Sequence, residues 1–346
     1  MGDCVEKPVK VSVLVTFYNQ KEYIQQNLES ILQQKTTYTY EIICGDDGSS
    51  DGTFEELLKW KEKYPDIISV YQMPRDIQKK YEPIVRVSNN RVNLLKHARG
   101  EYVYFLDGDD FYIDNQKIQI QVDFLEHNKK AVACGHPVKM VWDNESDKDK
   151  VIGRIADKAV LINKYVYWSF IWLHADSFLY RNVFLKDKKR IEEIDKDFFD
   201  DNLITCYFLQ YGDVLYCPRC MVAYRQFSSS SWNNRSELQK AFVNMKVYCA
   251  SKKILQKAKL MCLFRCHEAW VAFYKNKNEA IEISMGMRDI IKEKFVERTV
   301  AYKNKNHVFK ILYNVRYFFA LHCSVLIKIL NRTKILTYRN VSAYKE

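Results

Sequence analysis

Glycine and proline are scarce in this chain, at 10 and 6 of 346 residues. That scarcity excludes a collagen-like, linker-rich or low-complexity protein, and the sequence carries no internal repeat. Its carboxy-terminal uncharged stretch, between Arg316 and Lys328, is far shorter than the ~20 apolar residues a membrane span requires. The start, Met1 to Asn19, lacks a basic segment, an apolar stretch and a small-residue cleavage site in signal-peptide order. Gly2 is followed by Glu6 where a myristoylation signal needs Ser or Thr. Cys217-Pro218-Arg219-Cys220 has no second Cys or His pair at zinc spacing, so it is expected as plain strand rather than a metal knuckle. The 10 cysteines are scattered through a chain too large to need disulfide staples, which suits a reducing compartment. The cytosol is the expected location.

What is present is a core-forming composition, 47% hydrophobic and 28% charged, with room for one large domain and an appendage. The net charge of +11 is unevenly placed. Residues 241–346 hold 21 basic against 7 acidic side chains, whereas residues 1–240 hold 33 against 36. That asymmetry and the change of texture after Ser231 predict a domain over 1–235 and a basic, mostly helical region over 236–346.

Val9, Val11, Val13 and Val15 alternate with Lys10, Ser12, Leu14 and Thr16, giving a strand apolar on both faces, as burial between helices demands. Asn19 is expected to cap a helix whose Ile24, Leu28, Ile31 and Leu32 fall at helical spacing. A second strand over 40–44 runs into Asp46-Asp47-Gly48-Ser49, followed by a helix through Phe54, Leu57 and Leu58. A strand over 67–72, a helix near 92–98 and a strand over 102–106 lead to Asp107-Gly108-Asp109-Asp110 and a helix over 116–127. Residues 143–150 read as a solvated loop, the aromatic stretch 165–172 as a wall of the core or acceptor side, 200–210 as helix and 214–216 as strand. Strands alternating with helices predict an α/β fold around a mostly parallel sheet, whose ligand crevice lies beyond the strands' carboxyl ends. Both acidic clusters sit at such ends and should converge on one cleft.

Asp107 and Asp109 flank a glycine, so their oxygens can meet a hard divalent cation while Gly108 lets a diphosphate approach. A cation there would neutralise charge on a departing nucleotide diphosphate. The same residues also suit an acidic turn, with Asp110 or Asp114 capping the next helix. Asp46-Asp47 suits an Asx turn as well as a carboxylate for a nucleobase N–H or ribose hydroxyl. Recurrence in two strand–helix units favours the ligand reading.

Val11 to Asn19, Asp46 to Thr53 and Ala98 to Asp110, in that order, resemble the amino-terminal half of family 2 inverting glycosyltransferases. The resemblance, over roughly residues 9–228, implies a GT-A fold and a nucleotide-sugar donor. It implies that Thr16 and Tyr18 line the nucleotide pocket, that Asp47 contacts the base, and that Asp107 lies near the ribose or metal. Asp109 would ligate Mn²⁺ or Mg²⁺ and the diphosphate. Asp200-Asp201 resembles the family's acidic pair, with Asp201 as catalytic base and Asp200 beside it on the acceptor side. His174, in Leu173 to Arg181, resembles an acceptor-side segment. Tyr224 to Ser228 resembles the closing segment, with Phe227 where His is common. Arg91 or Arg86 would reach the diphosphate, and the sequence does not choose between them.

The implied reaction is single displacement onto a saccharide or lipid-linked saccharide hydroxyl, in surface-polysaccharide assembly. An apolar stripe from Val308 to Ile329, interspersed with Lys310, Arg316 and Lys328, would either lie on the inner face of an anionic membrane or dock on the catalytic domain. Three other readings compete. A sugar nucleotidyltransferase would bring a glycine-rich basic loop where Phe17 to Gln20 stands. A nucleic-acid binder would use the basic tail, but an acidic cleft repels phosphate, so no nucleic acid is expected. A non-catalytic nucleotide-sugar binder would share the donor site.

Overall fold

The computed structural model describes residues 8–75, 83–142, 146–196, 199 and 201–227, isolated positions between 235 and 255, and the pair Arg339–Asn340. Asp200, the stripe expected over 308–329 and nearly all of the basic region 236–346 lie outside the described residues.

In chain order the elements are β1 (Val11–Phe17), α1 (Ile24–Leu32), β2 (Tyr40–Asp46), α2 (Thr53–Lys63), β3 (Ile68–Gln72), α3 (Pro83–His97) and β4 (Tyr102–Asp107). There follow β5 (Phe111–Tyr112), α4 (Lys117–His127), β6 (Ala131–Gly135), β7 (Val138–Trp142), β8 (Lys150–Ile152), β9 (Val160–Ile162) and α5 (Lys164–Phe170). Then come β10 (Leu179–Arg181), α6 (Asp201–Leu209), β11 (Asp213–Tyr216), β12 (Val222–Gln226) and β13 (Arg339–Asn340). The described chain falls into two compact units. One is built from residues 8–164, 172–226 and the β13 pair, the other from 165–171 and the described positions between 227 and 255.

The first unit carries a nine-stranded sheet in the order β13-β9-β11-β6-β10-β4-β1-β2-β3. β1 pairs in parallel with β2 and β4, and β2 with β3, while β10 runs antiparallel between β4 and β6. All seven residues of β1 are buried, which explains why apolar side chains occupy both of its faces. Each fully buried Val, Leu or Ile contributes about 1.5–3 kcal/mol of apolar transfer, so this central strand anchors the rest. Register places Phe17 opposite Asp46 and Thr16 opposite Asp107, bringing both acidic clusters to one end of the sheet.

Four local expectations are revised. α3 begins nine residues before the expected start, at Pro83, because its buried face includes Arg86, Ser88, Asn90 and Arg91 and hides the apolar period. Asn19 does not cap a helix: it sits at φ 51° and its side chain accepts from Ser50 N–H at 2.9 Å. Cys217 to Cys220 is an irregular connection between β11 and β12 rather than strand, and both thiols are free. The stretch expected as a solvated loop holds a short 3₁₀ turn at Ser146–Lys148 and enters β8, which pairs antiparallel with β7.

Candidate active site

Asp46 and Asp47 are neighbours with different tasks. Asp46 accepts from the N–H groups of Gly48 and Ser49, the Asx turn that sequence also allowed. Asp47 is a buried ion-pair member, held by Arg86 and, at 3.4 Å, by Arg75. Burial pushes its carboxyl up, with Arg86 and Arg75 opposing. The Arg75 guanidinium lies 4.2 Å from the Tyr18 ring centroid, and Tyr18 stays 44% exposed. This edge of the site therefore offers an exposed aromatic, a guanidinium and a buried carboxylate.

Asp107 accepts from Thr16 Oγ1 at 3.1 Å and from Arg91 at 2.7 Å. The other arm of Arg91 reaches Asp201 Oδ1 at 2.8 Å, so one buried guanidinium ties the end of β4 to the start of α6. Arg86 thus serves Asp47, and Arg91 serves Asp107 and Asp201. Burial works against ionising Asp201, but the charges of Arg91 and then His174 hold its carboxyl below the usual range. Its side chain is 45% exposed, so an ionised oxygen faces solvent.

The loop after β4 is clamped from two sides. Asn27 Nδ2 donates to the carbonyls of Asp107 (3.1 Å) and Asp110 (2.7 Å). Arg225 donates through its backbone N–H to Asp110 Oδ1 at 2.7 Å and through Nε to the Asp109 carbonyl at 3.0 Å. Gly108 is required here by packing, because a Cβ would meet the Phe17 ring at 2.2 Å. Burial, then the charge of Asp107, pushes the Asp109 carboxyl up to about 7.

Asp110, His174 and Asp176 form a buried group whose ligand atoms lie within 4.8 Å of one another. Asp110 Oδ2 and both Asp176 oxygens receive no hydrogen bond among the described residues. His174 Nδ1 accepts from Asp176 N–H at 3.4 Å and stands 3.7 Å from Asp176 Oδ2. Burial pushes both carboxyls up; Asp176 adds to this at Asp110, whereas at Asp176 the contact with Asp110 and the charge of His174 oppose it, so the group favours a shared proton or a cation. Unpaired carboxylate oxygens beside an imidazole are a donor set that fits a divalent cation. Asp109 is their sequence neighbour, so the expected ligands Asp107 and Asp109 adjoin this group.

Gln121 fixes the loop that carries His174 and Asp176. Its Nε2 donates to the carbonyls of Cys134 (2.6 Å) and Ser177 (2.9 Å), and its Oε1 accepts from Tyr104 Oη (3.0 Å) and Lys117 Nζ (2.5 Å). Lys117 is fully buried, with its ammonium 4.0 Å from the Tyr104 ring centroid and 4.9 Å from that of Tyr112.

Thr16, Tyr18, Asp47, Arg91, Asp107, Asp109, His174 and Asp201 thus all belong to the sheet end that sequence indicated. Sequence reasoning assigned no role to Asp176, Arg75 or Gln121. Asp176 stands two residues from His174 in a quoted segment, yet nothing in the sequence marks it as buried. Arg75 and Gln121 left no signal, since each looks like a solvated polar residue.

The sequence model of Glycosyl transferase family 2 matches residues 12–187. An uncharacterized protein of Mycobacterium tuberculosis is 24% identical over 229 residues, covering 65% of this chain and 61% of that protein. The poly(ribitol-phosphate) beta-glucosyltransferase of Bacillus spizizenii is 27% identical over 217 residues, 55% of this chain and 32% of that one. The chain therefore spans less than two thirds of the length of these curated relatives. Among solved structures, S. aureus TarS 1-349 in complex with UDP-GlcNAc superposes with a TM-score of 0.56 at 15% identity, covering 98% of both chains, and shows the shared GT-A fold. With the family's sequence pattern matched over half its length, the chain belongs to the family 2 glycosyltransferases.

Proposed function

We propose that this protein transfers a sugar, with inversion, from a nucleoside-diphosphate sugar to an acceptor hydroxyl in surface-glycan assembly. The observation that carries the reading is Arg91, which joins Asp107 at the donor edge to the ionised, half-exposed Asp201. Tyr18, Arg75 and Thr16 would flank the nucleoside, with Asp47 accepting from the base. Asp201 accepts the acceptor's proton as the hydroxyl oxygen attacks the anomeric carbon, and the bond to the diphosphate breaks on the opposite face. Arg91 keeps that carboxylate charged and aimed, and Asp200 would stand beside it on the acceptor side. Asp109 and Asp107, with the neighbouring Asp110, His174 and Asp176, would hold a divalent cation, Mn²⁺ or Mg²⁺, which when bound supplies charge neutralisation of the leaving diphosphate.

The donor proposed is a UDP-sugar. Nucleotide release from UDP- and GDP-sugars, with Mn²⁺, Mg²⁺ or EDTA, tests the reading in wild type and Asp109→Ala. Release that needs the metal and disappears in the variant is expected; no nucleotide binding with metal present would overturn it.

The domain division proposed is a catalytic part over 1–235 and a basic part over 236–346. No helix among the described residues is long and apolar enough to cross a membrane. The +14 carried by residues 241–346 suits peripheral contact with an anionic membrane surface, from which a lipid-linked acceptor would be met on the cytoplasmic side. Vesicle flotation of the full chain against one ending near Asn306 separates that from docking on the catalytic part.

A further inference from the structure

Two large aromatic side chains stand exposed at this sheet end, Tyr18 and Trp172, and they occupy opposite flanks. Tyr18 follows β1, next to β2. Trp172 leads through the His174–Ser177 loop into β10, which lies across β4 from β1. The loop Asp107 to Asp110 stands between them. Trp172 is 47% exposed, and its ring meets the His174 ring at 5.9 Å and 88°. Tyr224 holds the imidazole from another side, with centroids 3.8 Å apart. The indole is therefore braced against a buried ring, and that ring's charge acts on Asp201.

We propose that Trp172 is the stacking platform for the acceptor, and that the acceptor presents a neutral sugar ring rather than a phosphate-linked polyol. The proposal rests on the donor-transfer reading above. A pyranose has one flat face of C–H bonds, apolar and weakly positive, which matches the negative face of an indole. A polyol phosphate has no such face to lay on the indole. Acceptor chemistry would thus differ from that named for the Bacillus spizizenii relative, at the one flank where the two reactions need not agree.

Saturation-transfer NMR on the full chain, with neutral methyl pyranosides and a ribitol-phosphate oligomer as probes, tests this, alongside UDP binding by calorimetry. Wild type is expected to bind at least one pyranoside. Trp172→Ala should weaken that binding about tenfold while UDP affinity stays within about twofold, and Trp172→Phe should keep part of it. Equal pyranoside affinity in wild type and Trp172→Ala overturns the platform, as does absence of pyranoside binding in wild type. Preferential binding of the ribitol-phosphate oligomer overturns the acceptor class. Failure of wild type to bind UDP, with Trp172-dependent sugar binding retained, would sink the donor reading and leave the platform standing.

Discussion

The donor edge and the acceptor flank of this site treat charge in opposite ways. At the donor edge each functional carboxylate has a guanidinium: Asp47 has Arg86 and Arg75, and Asp107 has Arg91. Across the Asp107–Asp110 loop, Asp110 and Asp176 are buried against each other and His174, with the Arg225 backbone N–H on Asp110 and no salt bridge to Arg or Lys from either among the described residues. The buried cation beneath that flank, Lys117, is spent on an amide and two tyrosine rings. A buried charge persists only where it is paired, hydrogen-bonded or bound to an ion. The donor edge thus pairs its charges with arginines, whereas Asp110 and Asp176 are left to share a proton or a cation.

The largest effect is expected where the two regions meet. Asp201→Asn keeps the shape and the contact with Arg91 but removes the proton acceptor, and transfer should fall by about 10²–10⁴-fold with donor affinity kept. Steady-state transfer and UDP titration check this, and near-normal turnover would remove Asp201 from the base role.

A smaller change is expected from Asp47→Asn, confined to the donor edge. Arg86 would lose its charged partner but keep the carbonyls of Pro74 and Asp47. Donor affinity should drop about tenfold and stability by about 1–3 kcal/mol, with kcat on saturating donor nearly unchanged. Calorimetric titration and thermal melting read both. An effect on kcat as large as that of Asp201→Asn would show that the two regions do not act separately.

The smallest effect on turnover belongs to Lys117→Met, whose signature is in stability against pH. Burial pulls the Lys117 ammonium down to about 7 from its ordinary 10.5. Between those values the unfolded chain binds the extra proton, so wild-type stability should rise with pH, by at most about 1.4 kcal/mol per pH unit. The penalty is fully present below about 7 and gone above 10.5. Denaturant melts across that window should show the slope in wild type and its loss in Lys117→Met; parallel curves would place the proton elsewhere.

Much of this was legible in the chain itself. The valine-rich, two-faced apolar pattern of β1, the helical spacing of α1 and α4, and two acidic clusters at strand ends sufficed for the α/β fold and for a common cleft, because burial on both faces and strand-end placement are written in local order. α3 was half missed, since its buried face is polar and periodicity reads only apolar residues. Asp176 and Gln121 left no trace, because a buried acid or amide has the same letters as a solvated one. The sequence by itself thus determined the α/β class and the placing of two acidic clusters at strand ends, through spacing along single elements, and the family, through the ordered motifs that resemble it. Only the tertiary structure decided which arginine serves which carboxylate, that Asp176 joins Asp110 and His174, and that Trp172 stands exposed beside them. Those are contacts between residues up to 110 positions apart, from Arg91 to Asp201, and no local pattern encodes them.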